Sequence, residues 1–430
     1  MKKYYIETYG CPLSRFDSNT MIYLLNSNGY RMTNNIDEAE IIIVNTCAVR
    51  LDTEIKIIKR LKEIKGYSTR SKIVVSGCLV KARPSLVERT LPDASLISPQ
   101  NVSKILEVVE SNKKVILLNG ERDNEKIFIP PSMDSTATIM IAEGCLDNCS
   151  FCITKLARRT LRSYKPRLIV NTIQELVKNG VKEIRLTGQD TAAYGLDLVP
   201  KTRLDELVSM IIDRVDGDYR LRIGMMTPNR SMEIIDNLLE LYRDDRVFKF
   251  FHIPVQSGDE NLLKVMNRNY SVEEFKNLHR KIKAKFPSSL FATDIIVGHP
   301  GEDEESFNNT ARLLRELKFE RVYLAQYSIR PRTRSASMQQ VPEPIKKKRS
   351  GMLNQIIREE AEKIYRTYIG REEEVLVTSR GFKKSYVVGR MQNYFPVAID
   401  GDEGLIGRRV LVEIEGASYF DLRSSTYRNL

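Results

Sequence analysis

Strand-like and helix-like segments alternate along most of this chain, and that alternation restricts its fold more than any other feature. In 1–125, apolar segments such as IIIVNT and KIVVSG alternate with amphipathic segments such as TEIKIIKRLKEIKGY, which predicts a parallel sheet with crossover helices. In 132–366 the pattern repeats six times, which predicts a partial parallel (β/α)6 barrel that stays open. The expected fold class is therefore α/β.

The two ends of this pattern mark domain boundaries. Polarity rises around 123–136 and two prolines stand side by side, which is typical of a linker. In 367–430 the pattern changes to short strands and glycine turns, which predicts a small all-β barrel. We expect three domains, at 1–125, 132–366 and 367–430.

The chain has six cysteines, and they form two sets of three. Cys11, Cys47 and Cys78 each follow one of the first three predicted strands. The carboxyl ends of parallel strands share one edge of a sheet, where ligands bind, so these cysteines should converge. The second set, Cys145, Cys149 and Cys152, lies in one loop after the first barrel strand. No secretory signal is apparent, so metal binding or catalysis is expected rather than a disulfide framework.

Three thiols suit a particular kind of metal centre. Three thiolates on a 4Fe–4S cube leave one iron with a free coordination site, and such an iron can chelate the amino and carboxylate groups of S-adenosylmethionine (SAM). An electron from the cluster can then break the sulfonium bond. Zinc with a distant fourth ligand and unliganded thiols remain alternatives.

Polar and glycine residues follow the later barrel strands at 187–190, 252–258 and 293–298. At a shared edge they could hold the ammonium, hydroxyl and carboxylate groups of a cofactor. Ordinary strand-end turns are the alternative for each segment. Phe151 either packs in the loop or lies beside an adenine.

The motifs, taken in order, resemble one family. CxxxCxxC with Phe151 before the last cysteine is the spacing of the radical SAM superfamily. YGCP, NTCAV and SGCL, followed by PVQSG, TDIIVGHPGE and VGRMQNYFPV, resemble the methylthiotransferase family over nearly the whole chain. The resemblance implies one 4Fe–4S cluster on Cys11, Cys47 and Cys78 for sulfur delivery, and a second on Cys145, Cys149 and Cys152 that coordinates SAM.

The same resemblance implies the reaction and the cofactor contacts. One SAM methylates a sulfur and a second SAM provides a 5′-deoxyadenosyl radical, which removes hydrogen from an unactivated carbon. No catalytic residues are implied beyond the clusters and SAM, and the three histidines are expected to be structural. The run TGQD stands where the superfamily usually has GGE. The implied cofactor-binding residues are Phe151, Thr187, Gly188, Gln189, Asp190, Gln256, Ser257, Ile296 and Gly298.

The substrate also follows from resemblance. ITKLARRTLRSY, LTGQDTAAYG and LRIGMMTPNR look most like the archaeal and eukaryotic branch, which modifies N6-threonylcarbamoyladenosine next to the tRNA anticodon. Arg159 departs from the glycine usual there. The alternatives are isopentenyladenosine in tRNA and an aspartate of a ribosomal protein. A different class of function is a non-catalytic protein that uses two clusters for electron transfer or nucleic-acid binding. A cluster that only carries electrons is normally held by four thiolates, whereas the six cysteines supply three for each cluster.

The charge distribution favours an anionic partner. The net charge is +12, and 148–173 contains six Lys or Arg and no acid, although a solvated helix face would look similar. The carboxyl-terminal domain resembles a TRAM domain, a module that generally binds RNA, yet its positive and negative charges balance. Tyr394 could stack on a base or fill the barrel core. The expected RNA contacts are Arg158, Arg159, Arg162, Arg390 and Tyr394.

Other partners follow from the proposed chemistry. The expected partners are a tRNA substrate, an electron donor such as ferredoxin or flavodoxin, and a sulfur source. No apolar run approaches the ~20 residues of a membrane helix, so a cytoplasmic protein without a membrane partner is expected. We also expect a monomer.

Overall fold

The computed structural model describes residues 1–128, 135–382 and 385–430. The predicted start of the second domain, at residue 132, and part of the predicted linker lie outside the described residues. In the described ranges, no helix combines the length and the apolar character needed to cross a membrane.

The amino-terminal region is a parallel sheet covered by helices, as predicted. Its elements are β1 (Lys3–Thr8), α1 (Pro12–Ser27), β2 (Arg31–Met32), β3 (Ile41–Thr46), α2 (Leu51–Ile64), β4 (Lys72–Gly77), α3 (Cys78–Ala82), α4 (Pro84–Thr90), β5 (Ser95–Ile97), α5 (Ile105–Glu110) and β6 (Ile116–Leu117). The six strands are all parallel, in the order β2-β1-β3-β4-β5-β6. Every residue of β3 is buried, because helices cover both faces of a parallel sheet. Strands β2 and β5 were not predicted, since two or three residues are too few to show a period.

The central region contains the six predicted parallel strands. Its elements are β7 (Thr136–Met140), β8 (Ala142–Glu143), α6 (Thr154–Ala157), β9 (Arg162–Ser163), α7 (Pro166–Lys178), β10 (Glu183–Thr187), α8 (Leu204–Arg214), β11 (Arg220–Arg222), α9 (Pro228–Leu241), β12 (Phe250–His252), α10 (Glu260–Val265), α11 (Val272–Lys285), β13 (Leu290–Val297), α12 (Glu304–Leu317), β14 (Arg321–Gln326) and α13 (Glu343–Arg366). They form two parallel three-stranded sheets, β11-β10-β7 and β12-β13-β14. A bridge between Leu221 and Val247 connects these sheets, so the strands form a half-barrel. The antiparallel pair β8 and β9 was not predicted.

The carboxyl-terminal region is all-β. Its strands are β15 (Glu372–Arg380), β16 (Tyr386–Met391), β17 (Pro396–Asp400), β18 (Arg409–Glu413), β19 (Gly416–Ala417), β20 (Leu422–Ser424) and β21 (Arg428–Asn429). They form one curled sheet in the order β19-β20-β17-β16-β15-β18-β21. Phe248, Phe250 and Leu290 of the half-barrel belong to the same buried cluster as the core of this sheet. The curled sheet therefore packs against the starts of β12 and β13.

Candidate functional site

The loops after β1, β3 and β4 bring the first cysteine triplet together. Cys11 directly precedes α1, Cys47 follows β3, and Cys78 is the first residue of α3. Gly10 and Gly77 have positive φ angles of 118° and 98°. A Cβ atom on Gly10 would lie 3.0 Å from the Cβ of Cys47, and one on Gly77 would lie 2.3 Å from the carbonyl oxygen of residue 46. These close approaches require glycine, and they show that the three loops meet at one edge of the sheet.

The second triplet lies in the loop between β8 and α6. Residues of the half-barrel that are distant in sequence hydrogen-bond to this loop. The backbone amide of Ser150 donates to the carbonyl of Met266 at 2.9 Å. Arg268 is buried and donates to the Sγ of Cys149 at 3.1 Å. The backbone amide of Asp147 donates to the Sγ of Cys145 at 3.4 Å. Sequence analysis did not single out Arg268, whose role depends on a contact between distant segments.

All six cysteines are free thiols, and burial disfavours the ionised form of Cys47, Cys78, Cys145 and Cys149. Burial raises the pKa of Cys78 to about 12, although Arg158 opposes the shift. Burial also raises the pKa of Cys145 to about 12, with the charge of Asp190 adding to the effect. The pKa of Cys149 is raised by burial and lowered in part by Arg268. Thiolates at these positions therefore need a compensating cation, and a metal that binds them must displace protons.

The donor set fits an iron–sulfur cube better than a single metal ion. Within the described ranges, no three Cys, His, Asp or Glu side chains are close enough to share one ion. Zinc holds its sulfur ligands ~2.3 Å from one point, whereas a 4Fe–4S cube spreads its thiolates over separate irons. Each triplet is all-thiol and free of disulfides. Three thiols in each triplet therefore suit a cube with one open iron, and a cluster on Cys11, Cys47 and Cys78 stays a prediction.

A cavity of about 300 Å³ lies beside the loops that carry the two triplets, and we call it the shared cavity. Val49 and Arg50, just beyond Cys47, line one side, and Cys152 lines another. Helices α3 and α6, which follow the two sets of cysteines, are in contact, and Cys47 and Cys78 share a buried cluster with residues of the second loop. The loops that carry the two triplets are therefore neighbours beside this cavity.

Three of the nine predicted cofactor residues line the shared cavity: Phe151, Gln256 and Ile296. Gln256 has a positive φ of 71°, and its buried Oε1 has no hydrogen-bond partner among the described residues. Such backbone strain is typical of ligand sites. The cavity is also lined by Met225, Gln326 and Arg330, which sequence analysis did not single out. Their only signal in the sequence is a position at the end of a strand or shortly after it.

The TGQD segment lies beside the cavity and holds the second loop. Gln189 Oε1 accepts from the amide of Gly144 at 2.7 Å. Asp190 is fully buried and accepts from the amide and hydroxyl of Thr227 at 2.9 and 2.7 Å. Thr187 is also buried, and neither it nor Gly188 is among the cavity-lining residues. Direct contact of this segment with a cofactor stays a prediction, while its visible contacts position the loop that carries Cys145.

Ser257 and Gly298 also lie outside the wall of the shared cavity. The Ser257 hydroxyl accepts from the amide of Asp259 at 3.1 Å. A Cβ on Gly298 would lie 2.4 Å from a side-chain carbon of Lys346. Each residue thus has a packing reason for its identity.

The structure contradicts the expected role of Arg158 in RNA contact. Arg158 is 2% exposed, and its guanidinium pairs with Asp17 and with Glu143, at 2.7 Å for the latter. Arg122 pairs with the same two carboxylates at 2.5 and 2.6 Å. The four buried charges balance and connect α1 to the half-barrel. The prediction was wrong because a basic run in sequence does not reveal which of its charges are paired inside.

Tyr394 is also wrongly predicted as an RNA contact. It is 7% exposed, its hydroxyl donates to Glu183 at 2.7 Å, and its ring lies 4.9 Å from that of Phe248. Among the other expected contacts, Arg159 is exposed, Arg162 pairs with Glu121, and Arg390 lines a second cavity. Their contact with RNA remains a prediction.

Comparison with known proteins agrees with this arrangement. The Radical SAM superfamily matches residues 139–314, the Uncharacterized protein family UPF0004 matches 3–98, and the TRAM domain matches 366–426. A protein of Pyrococcus abyssi named "Probable threonylcarbamoyladenosine tRNA methylthiotransferase" is 37% identical over 97% of this chain and 98% of its own length. The chain belongs to the threonylcarbamoyladenosine tRNA methylthiotransferase family.

A human family member, "Threonylcarbamoyladenosine tRNA methylthiotransferase", is 33% identical over 98% of this chain and 73% of its own length. Among solved structures, the radical SAM methyltransferase TsrM of Kitasatospora setae has a TM-score of 0.60 at 12% identity, covering 78% of this chain and 74% of its own. At that identity the likeness shows the fold alone. As a member of this family, the chain is a radical SAM enzyme, and that superfamily uses a 4Fe–4S cluster and SAM.

Proposed function

We propose that this enzyme adds a methylthio group to C2 of N6-threonylcarbamoyladenosine next to the anticodon of tRNA, using two 4Fe–4S clusters and two molecules of SAM. One observation carries the proposal: Cys152 of the second triplet and Val49 and Arg50, just beyond Cys47 of the first, line one cavity at the carboxyl ends of the barrel strands. The relatives that match almost the whole chain bear the corresponding name.

We assign Cys145, Cys149 and Cys152 to the cluster that coordinates SAM, and Cys11, Cys47 and Cys78 to the cluster that delivers sulfur. When bound, these groups supply methyl transfer to sulfur and a radical able to attack an inert C–H bond, chemistry that belongs to cofactors rather than side chains. Phe151, Gln256 and Ile296 form the wall against which SAM would rest.

The chain's own residues position and shield the reactants. Arg268 donates a hydrogen bond to Cys149 and so compensates negative charge on the thiolates. Arg330 of the loop after β14 is buried and pairs with Glu54 of α2, which fastens the two domains beside the cavity. Cys47 and Cys78 are buried and the second triplet is partly covered, which limits the access of water to reactive species.

We propose tRNA as the macromolecular partner, held by the TRAM domain and by cations that include Arg162, Arg390 and the exposed Arg159. A ferredoxin or flavodoxin would provide electrons, and a separate sulfur source would replenish the transferred atom. We also propose a cytoplasmic location, which a tRNA substrate supports. The isopentenyladenosine and ribosomal-protein alternatives are not favoured, because the archaeal and eukaryotic relatives are named for threonylcarbamoyladenosine.

Anaerobically reconstituted protein tests this proposal directly. We would incubate it with SAM, a reductant and an anticodon stem–loop containing threonylcarbamoyladenosine, and follow methylthio nucleoside and 5′-deoxyadenosine by mass spectrometry. We expect both products, and about eight irons per chain, four for each cluster. A stem–loop containing isopentenyladenosine is the control and should stay unmodified. Intact clusters without either product would overturn the proposal and favour an electron carrier.

A further inference from the structure

A second cavity, of about 450 Å³, lies between the curled sheet and the half-barrel. Four arginines line it, and we call it the arginine cavity: Arg185, Arg222, Arg321 and Arg390. They come from three barrel strands and from β16 of the curled sheet. The arginine cavity is therefore formed only when the two domains are packed together.

Three of these arginines have no anionic partner within the described residues, although Arg321 donates to neutral groups. Arg185 pairs with Glu183 at 2.5 Å, and Arg321 donates to the Tyr365 hydroxyl at 2.9 Å. No ion pair is found for Arg222 or Arg390 within the ranges described, and the Nε atoms of both are buried without an acceptor. A buried donor without an acceptor is costly, and it is tolerated where a ligand completes the bond.

The guanidinium groups are held in place by aromatic rings. The guanidinium carbon of Arg222 lies 4.5 Å from the ring centre of Phe250 and 5.5 Å from that of Tyr394. The guanidinium carbon of Arg390 lies 4.9 Å from the same Tyr394 ring. Rings on which arginines stack limit their rotation, so less freedom is lost when an anion binds.

The acids near the arginine cavity do not neutralise it. Glu183 already pairs with Arg185 and accepts a hydrogen bond from the Tyr394 hydroxyl. Burial alone would raise the pKa of Glu183, yet the charge of Arg185 and these hydrogen bonds keep it below the usual value. Asp421 also lines the cavity, and its carboxylate accepts from the Ser418 hydroxyl at 2.5 Å. Four guanidinium groups against two carboxylates leave an excess of positive charge, which suits a carboxylate or a phosphate.

The arginine cavity adjoins the shared cavity. The side chain of Tyr323, on β14, lines both, and its ring lies 5.2 Å from that of His252. A base whose reacting carbon lies in the shared cavity could thus extend a substituent into the arginine cavity. Threonylcarbamoyladenosine carries such a substituent on N6, and it ends in a carboxylate.

We propose that the arginine cavity binds the carboxylate of the threonylcarbamoyl group, with Arg222 and Arg390 as the specificity-determining residues. This inference rests on the proposed function. An isopentenyl group has no charge and would leave both guanidinium groups unpaired, so the same contact would reject it. A phosphodiester of the RNA has similar chemistry, and the experiment separates the two sources.

Binding measurements without turnover provide the test. Reconstituted full-length protein, without reductant, is titrated against three stem–loops: one with threonylcarbamoyladenosine, one with its methyl ester and one with unmodified adenosine. We expect the wild type to bind the acid about tenfold more tightly than the ester, as a hydrogen bond to a charged group allows. Arg222→Gln should remove this preference, and Arg222→Lys should retain part of it.

Matched variants keep the test decisive. Arg390→Gln is the second cavity variant, in case Arg222→Gln does not fold. Arg408→Gln changes an exposed arginine of the curled sheet outside the cavity and should leave the preference intact. Equal weakening of all three RNAs by the cavity variants would indicate a phosphodiester contact and overturn the proposal, as would a wild type that does not distinguish acid from ester. Failure of the proposed function is separate, since it shows as absence of methylthio product from the wild type.

Discussion

The first triplet is assembled from three loops of one sheet, whereas the second lies within a single loop. Cys11, Cys47 and Cys78 converge because β1, β3 and β4 are parallel neighbours, so their spacing depends on strand register and on Gly10 and Gly77. The second loop has its cysteines close in sequence, but it is held by Arg268, Gln189 and Met266 of the half-barrel. The first site thus depends on its own domain, while the second depends on the barrel around it.

This difference suggests that the two triplets have separate roles in the reaction. Loss of the second triplet should have the largest effect on product formation. Cys152→Ala should abolish release of 5′-deoxyadenosine and of methylthio product together, by more than about the hundredfold that outer-shell changes can cause. Iron content should fall from about eight to about four per chain, because Cys11, Cys47 and Cys78 and the loops that carry them are unchanged. Retention of 5′-deoxyadenosine release at wild-type rate would show that the assignment is wrong.

Loss of the first triplet should give a different pattern. Cys47→Ala should remove methylthio product but leave 5′-deoxyadenosine release within about threefold of wild type, since the residues around the second triplet stay intact. The measurement is the ratio of the two products, with Cys152→Ala as the matched variant. Loss of both products in both variants would mean that the two sites do not act separately.

The next largest effect should be on stability, from the buried ion pairs that connect the amino-terminal domain to the half-barrel. Arg158→Met would leave Asp17 and Glu143 with one partner instead of two, and breaking a buried pair costs about 3–5 kcal/mol. We expect a lower midpoint in urea unfolding of the anaerobic protein. The neighbouring Arg159→Met is the matched control and should change stability by less than about 0.5 kcal/mol. Equal effects of the two changes would contradict the burial of Arg158.

The same comparison shows what the sequence could reveal. The alternation of strands and helices predicted both parallel sheets, and the position of Cys11, Cys47 and Cys78 after strands predicted their convergence, because strand ends are a local property. Pairing between distant side chains has no local signature. For that reason Arg158 and Tyr394 were wrongly expected at the surface, and Arg268, Arg330 and the arginine cavity were not anticipated.

Low pH should destabilise the half-barrel more than the amino-terminal sheet, although by a smaller amount than the changes above. All three histidines of the chain lie in the half-barrel region. His299 is fully buried, and burial lowers its pKa to about 4 from the usual 6.5. Its Nδ1 donates to the carbonyl of Pro300 at 2.7 Å, and its Nε2 accepts from the hydroxyl of Ser335 at 2.8 Å. The Ser335 oxygen lies 2.9 Å from the hydroxyl of Ser150 in the second cysteine loop. As the pH falls, this histidine is protonated in the unfolded chain at a higher pH than in the folded chain. The neutral histidine therefore costs no stability above pH 6.5, and stability declines progressively between pH 6.5 and pH 4.

His299→Gln should reduce the loss of stability at low pH. Glutamine keeps an acceptor for Ser335 and does not titrate, so the loss of stability between pH 8 and pH 5 should shrink by about 2 kcal/mol, the equivalent of ~1.5 pKa units. Urea unfolding of the anaerobic apoprotein at the two pH values gives this difference, and the pH 8 data correct for any direct effect of the substitution. Hydrogen exchange should place the remaining acid sensitivity in the half-barrel and not in β1, β3 and β4. An unchanged pH dependence in His299→Gln would mean that His299 does not make the second loop more acid-sensitive than the first triplet.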